Sequence, residues 1–151
     1  MFNKNSSYKR LIGRREFVNF PELDFYNIEA KIDTGAYTNS LNCENIELKT
    51  NNGITFLVYT ICLLENGVEK RKTIETNFFY KKKIKNSFGE LEERYIIKTL
   101  IKIGKKSIKT SISLSNRKNM RYAVLIGRKL LKGKFLIDVN QVHIGGKKIV
   151  L

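Results

Sequence analysis

Proline occurs once, at Pro21, histidine once, at His143, and cysteine twice, at Cys43 and Cys62. With one proline and no long Ser/Gly-rich run there is no linker, so the 151 residues read as one domain able to bury an ordinary core. No repeat of the solenoid or propeller kind is present. The longest apolar run, Ile54 to Leu64, is broken by Thr55, Thr60 and Cys62 and is far too short to span a bilayer. Met1 to Arg10 is polar, without the apolar centre of a signal peptide. The expectation is a cytoplasmic protein with no membrane partner, its first ten residues a flexible arm ahead of a domain over 11–151. Cys43 and Cys62 lie in apolar, strand-like surroundings, which predicts buried free thiols in a reducing compartment rather than a disulfide framework. One histidine and two separated cysteines supply neither His-Glu-x-x-His nor a paired-Cys motif, so no metal and no other cofactor is expected. His143, before Gly145-Gly146, reads as a surface or turn residue. Gly104-Lys105-Lys106-Ser107 lacks the earlier glycine of a phosphate loop.

What the chain does have is positive charge, a formal +15 at pH 7 with 28% charged and 42% apolar residues. That balance is globular, and the excess points to an acidic partner (nucleic acid, an acidic membrane surface or an acidic polypeptide) or to the Lys/Asn/Ile-rich usage of an AT-rich genome. Apolar residues alternate with polar ones in short segments. Leu11–Phe20 reads as a strand, Pro21–Asp24 as a turn, and Asn39–Lys49 and Ile54–Leu64 as strands joined by Asn51-Asn52-Gly53. Glu65-Asn66-Gly67 is a second hairpin signal, with a less marked strand over 68–80. A basic run over 81–85 precedes the loop 86–89. Leu91–Ile103 is the clearest strand, with Tyr95, Ile97, Ile101 and Ile103 on one face and Glu92, Arg94, Lys98 and Lys102 on the other. Ser107–Leu114, the continuously apolar Ala123–Ile126, Phe135–Val139 and Lys148–Leu151 complete the strands. Residues 115–121 form a polar loop, and Arg128–Lys132 one helical turn. The class is all-β, a closed barrel with at most one short C-terminal helix.

Aspartate is scarce, at Asp24, Asp33 and Asp138 only. Ile28, Ala30 and Ile32 alternate with Glu29 and Lys31 until the pattern stops at Asp33-Thr34-Gly35, a carboxylate delivered by a strand end into a glycine turn. Chemistry that needs two aspartates finds no obvious second one, and a second copy across a two-fold axis is the simplest supply.

Asp33-Thr34-Gly35-Ala36, followed far downstream by Ala123-Val124-Leu125-Ile126-Gly127-Arg128-Lys129-Leu130-Leu131, resembles the retropepsin-type aspartic peptidases, which pair an Asp-Thr-Gly-Ala turn with a later Ile/Leu-Gly-Arg-x-Leu-Leu segment. The resemblance is closer to a retropepsin-like bacterial family known as RimK-associated "ATP-dependent zinc proteases". It runs through Gly13 to Val18, Lys31 to Ala36, Glu93 to Tyr95 and Met120 to Arg128, and covers about residues 11–140. It implies a retropepsin-like barrel and a homodimeric aspartic endopeptidase. Asp33, Thr34 and Gly35 of each copy would form the catalytic turn, with Thr34 locking the two turns together and Leu125, Ile126 and Gly127 packed behind. Ala36 and Arg128 would meet substrate. So would a flap whose tip is Asn86-Ser87-Phe88-Gly89. Residues 54–80 would be extra to a minimal retropepsin. Two departures stand out: Tyr37 follows the turn where many retropepsins carry an acid to partner Arg128, and Asn42 follows Ser40-Leu41 where bacterial relatives often have histidine.

Because that family accompanies ligases that add glutamate tails, the resemblance implies a peptide or protein substrate that is acidic and glutamate-rich. The basic stretches 81–85 and 102–109 fit it. The alternative is a non-catalytic basic β-barrel that binds RNA or an acidic protein, with Phe78-Phe79-Tyr80 beside Lys81-Lys82-Lys83 as the aromatic-basic cluster.

Overall fold

The computed structural model describes residues 8–86, 88–145 and 147–150. Those residues hold twelve strands, one short α-helix and a 3-10 turn at Pro21–Leu23. In order the strands and helix are β1 (Tyr8–Gly13), β2 (Arg15–Phe20), β3 (Phe25–Ile32), β4 (Asn39–Asn51), β5 (Ile54–Glu65) and β6 (Val68–Thr76). There follow β7 (Tyr80–Lys85), β8 (Leu91–Ile103), β9 (Lys106–Ser115), β10 (Val124–Ile126), α1 (Arg128–Leu131), β11 (Phe135–Asp138) and β12 (Lys147–Val150). The all-β expectation and its single short helix hold. The segment read as one strand over 11–20 is two, because the chain breaks at Arg14 and starts a new pairing. β1 begins at Tyr8, inside the stretch expected to be an arm. The basic run 81–85 is itself a strand.

The main sheet runs β10-β3-β2-β8-β9-β4-β5-β6, and β10 also pairs with β4, so the first six of these strands close on themselves as a ring. Three residues make that closure. Leu125 and Ile126 run parallel to Lys31 and Ile32, while Val124 and Leu125 run antiparallel to Leu41 and Ser40. An internal position with partners on both edges explains why this stretch is continuously apolar. One hydrophobic core fills the ring, from Val18, Phe20, Phe25, Ile28 and Ala30 to Ile101, Ile112, Val124 and Ile126.

The hairpins form where the Asn-Gly pairs predict. Asn52 and Gly53, and Asn66 and Gly67, all have positive φ, the geometry of a two-residue turn that keeps the strand twist. Residues 54–80 are no appendage. Leu57, Tyr59, Ile61 and Leu63 alternate inward along β5 and join the central core. Cys43 and Cys62 are buried and free, and burial pushes both thiols up from their ordinary value.

A second sheet, β11-β1-β12, ties the two ends of the chain together. Its anchor is Glu16, 1% exposed on β2. One carboxylate oxygen accepts the N–H of Gly13 at 2.7 Å and of Ile144 at 3.1 Å, and the other accepts that of Gly145 at 2.8 Å. His143, at positive φ in the same strap, stacks on Phe17 and lies 2.7 Å from the Glu29 carboxylate, the turn role expected of it.

Two outcomes follow. Glu16→Ala leaves three N–H groups without their acceptor and is expected to cost about 3 kcal/mol, lowering the melting temperature by roughly 10 °C. The native protein is expected to resist thiol-specific labelling at both cysteines until denaturant is added, read by mass.

Candidate active site

Asp33 leaves β3 at the seam where β10 closes the ring. Its N–H donates to the Ile126 carbonyl at 2.8 Å, so the turn hangs on β10 from its first residue. The Asp33 carbonyl accepts the N–H of Ala36, and one carboxylate oxygen, Oδ1, accepts the N–H of Gly35 at 3.0 Å. A Cβ on Gly35 would stand 3.2 Å from that oxygen, a tight contact that would press on the carboxylate. Thr34 and Gly35 are exposed.

The downstream segment braces the turn from below. The backbone N–H groups of Arg128 and Lys129 donate to the carbonyls of Ala36 and Tyr37 at 2.8 and 2.9 Å. The Arg128 guanidinium donates to the Thr34 carbonyl at 2.9 Å and lies over the Tyr37 ring at 5.8 Å. Arg128 therefore has a local partner in the ring at position 37. Gly127 has no room for a side chain, since a Cβ would sit 2.7 Å from the Tyr37 carbonyl oxygen. Behind it, Asn39 is fully buried. Its Oδ1 accepts the Gly127 N–H at 2.8 Å and its Nδ2 donates to the Ser111 carbonyl at 3.0 Å, fastening turn, seam and β9 together.

Asp33, Gly35, Ala36 and Arg128 line one cavity of about 730 Å³, together with Tyr37, Thr38 and Ser40. Its other wall is β7 and the start of the β7–β8 hairpin, with Lys82, Lys83, Lys85 and Asn86, and Arg94 and Arg117 complete the lining. Asp33 is the one acid in a lining that carries six cations. Asn86 shapes the hairpin tip by accepting the N–H groups of Phe88 and Glu90 on its side-chain oxygen. Phe88 is 87% exposed, Gly89 is at positive φ, and neither lines the cavity. Ser87 lies outside the described residues.

Sequence reasoning missed Asn39, Arg94 and Arg117. Arg94 was expected on the outer face of β8. Its side chain is only 16% exposed and turns into the cavity, because Lys82 of β7 and Ser40 of β4 flank it. The quoted Glu93-Arg94-Tyr95 was the available signal. Of the aromatic cluster of the alternative reading, Phe78, Phe79 and Tyr80 line a groove separate from the Asp33 cavity. Phe78 is exposed at the edge of that groove, while Phe79 packs edge-on against Tyr95. No group of three or more His, Cys, Asp or Glu side chains among the described residues is placed to hold a metal. Among the described residues no helix is long and apolar enough to cross a membrane.

The model of the RimB-like family, described as retropepsin-like aspartic endopeptidase RimB, matches residues 11–148. The chain belongs to that family. It is also similar to proteins named probable α-L-glutamate ligase, at 31% identity over 143 residues in Shewanella pealeana and 33% over 132 residues in Desulfotalea psychrophila. Those matches cover 95% and 86% of this chain but 31% and 28% of the ligases, so the chain spans about three-tenths of the length of these curated relatives. Among solved structures, a Legionella pneumophila protein of unknown function superposes with a TM-score of 0.69 at 25% identity, covering 90% of this chain and 98% of that one.

Gly127→Ala is expected to force the Tyr37 carbonyl away and shift the Asp33 turn, destabilising the fold by about 1–3 kcal/mol in denaturant titration.

Proposed function

We propose that the chain acts as a homodimeric aspartic endopeptidase in which Asp33 of two copies shares one site. The observation that carries this reading is the placement of Asp33. It is fixed by backbone hydrogen bonds at a strand seam, it is the lone acid of its cavity, and Thr34 and Gly35 stand exposed beside it. A two-fold axis through that exposed turn would bring the second carboxylate. Membership of a family described as aspartic endopeptidases supports the same chemistry.

Two carboxylates about 3 Å apart cannot both ionise, so the pair holds one proton. The ionised Asp33 takes a proton from a water lying between the two, and the resulting hydroxide attacks the scissile carbonyl carbon. The protonated partner donates to the carbonyl oxygen as charge develops on it. Collapse of the tetrahedral diol, with a proton passed to the amide nitrogen, breaks the C–N bond and releases acid and amine. Thr34 locks the two turns, Ala36 and Arg128 flank the bound peptide, and the β7–β8 hairpin covers it from the side of Asn86.

The substrate class we favour is a glutamate-rich tail. Lys82, Lys83, Lys85, Arg94, Arg117 and Arg128 surround the one carboxylate, and a second basic hollow lies next to it, lined by Arg14, Arg15, Lys31 and Arg121. Such a field concentrates a polyanionic peptide. The similarity to ligases that handle glutamate points the same way.

Incubating the protein with a glutamate-tailed peptide, beside the Asp33→Asn variant, tests the reading by mass. Shortened peptide is expected from the native protein, with a loss of roughly 10²–10⁴-fold in the variant and the dimer retained. Undiminished cleavage by the variant would remove Asp33 from the chemistry. Binding without cleavage in both would favour a non-catalytic carrier of acidic polymers.

A further inference from the structure

We propose that Arg117, with Arg94 and Lys82, forms a carboxylate subsite beside Asp33 that reads one acidic side chain of the substrate next to the bond to be cut. This rests on the acidic-peptide reading above and assigns its selectivity to named residues.

The three cations line the same cavity as Asp33. Lys82 and Arg94 are directly opposed across β7 and β8, a cross-strand pairing of like charges that destabilises a sheet unless something anionic lies over it. Arg94 has one counter-ion, since its Nε donates to Glu92 Oε1 at 2.6 Å, and its Nη1 reaches Ser40 Oγ at 3.3 Å. Arg117 has none: among the described residues it takes part in no ion pair, and neither does Lys82.

Arg117 is nevertheless held in place. Its backbone N–H donates to Asn42 Oδ1 at 2.6 Å, and its Nε donates to the Tyr122 carbonyl at 2.9 Å. Asn42 is itself buried and tied to the Cys62 carbonyl. With Nε occupied, the two terminal nitrogens are left as a fork of the shape that grips a carboxylate through two parallel bonds. Burial and the neighbouring Arg94 both press against the Arg117 charge, while Asp33 favours it. A half-buried guanidinium fixed on its inner side, facing another guanidinium, has the form of a site waiting for an anion.

The competing account is that Arg117 serves Asp33 alone, as a distant counter-charge. The two differ in what the substrate's charge does. The probes are glutamate-tailed peptides in which glutamates are replaced by glutamine singly and in pairs, bound to the Asp33→Asn protein and measured by calorimetry. The two-fold axis supplies the subsite twice, so one position on each side of the bond is expected to dominate, with glutamine at both weakening binding roughly tenfold or more. In Asp33→Asn/Arg117→Gln the all-glutamate peptide is expected to weaken by a similar factor, while the peptide with glutamine at both positions changes by less than about twofold. Asp33→Asn/Lys82→Gln, altered on an exposed strand, should reduce the same dependence and serves if the Arg117 variant does not fold.

Equal weakening of both peptides by Arg117→Gln, or none, overturns the subsite. So does preserved glutamate dependence in both variants. A native protein that cuts no peptide yet shows the selective loss would fail the peptidase reading and leave the subsite standing.

Discussion

Everything at the site hangs on the backbone bonds between the Asp33 turn and the segment that leaves β10. Asp33 N–H to Ile126, Arg128 N–H to Ala36 and Lys129 N–H to Tyr37 join stretches more than ninety residues apart in sequence. The same three-residue strand that receives the turn also closes the ring between β3 and β4. Closure of the sheet and placement of the carboxylate are thus one event. A sheet that slipped by one residue at β10 would lose both, because slippage exchanges the faces of every side chain on it. Asn39 guards against that slip: its amide accepts from Gly127 and donates to Ser111, satisfying buried backbone groups in only one register.

The distribution of charge adds what the net charge alone does not. Elsewhere on the surface acids and bases meet: Arg71 pairs with Glu44 and Glu69, Lys70 with Asp24 and Glu65, and Lys109 with Glu22. Genome composition can raise a lysine count, but it does not arrange acids to leave one cavity with six cations around Asp33. Exposed pairs of this kind contribute little to stability.

Much of the fold was legible because its signals are local. Alternation set the strands, the two Asn-Gly pairs set the hairpins, and Asp33 to Ala36 with Ile126-Gly127-Arg128 set the site. The rest depended on contacts between distant segments. Glu16 looks like an outward polar residue of an alternating strand, yet its acceptors serve Gly13, Ile144 and Gly145, which only the folded ends bring near. Asn39 opens a strand and gives no hint that its amide faces a glycine 88 residues on. Arg94 follows the period of a solvent face, and only the pairing with β7 turns that face into a cavity wall. Arg117 sits in a loop with no pattern at all.

On the proposed reading, assembly and substrate capture cannot be independent. Two copies, each carrying +15, must bring cavities lined by Lys82, Lys83, Arg94 and Arg117 toward a common axis. Like charges at that separation repel, and the repulsion is screened only in part at physiological ionic strength, where the Debye length is about 8 Å. A polyanionic peptide lying across the axis replaces repulsion with attraction on both sides. Whatever binds the assembled form and not the separate chains stabilises assembly by mass action. The exposed Thr34-Gly35 turn and the unpaired cations of the cleft are then two halves of one device: the first lets the copies meet, and the second makes an acidic substrate favour their meeting.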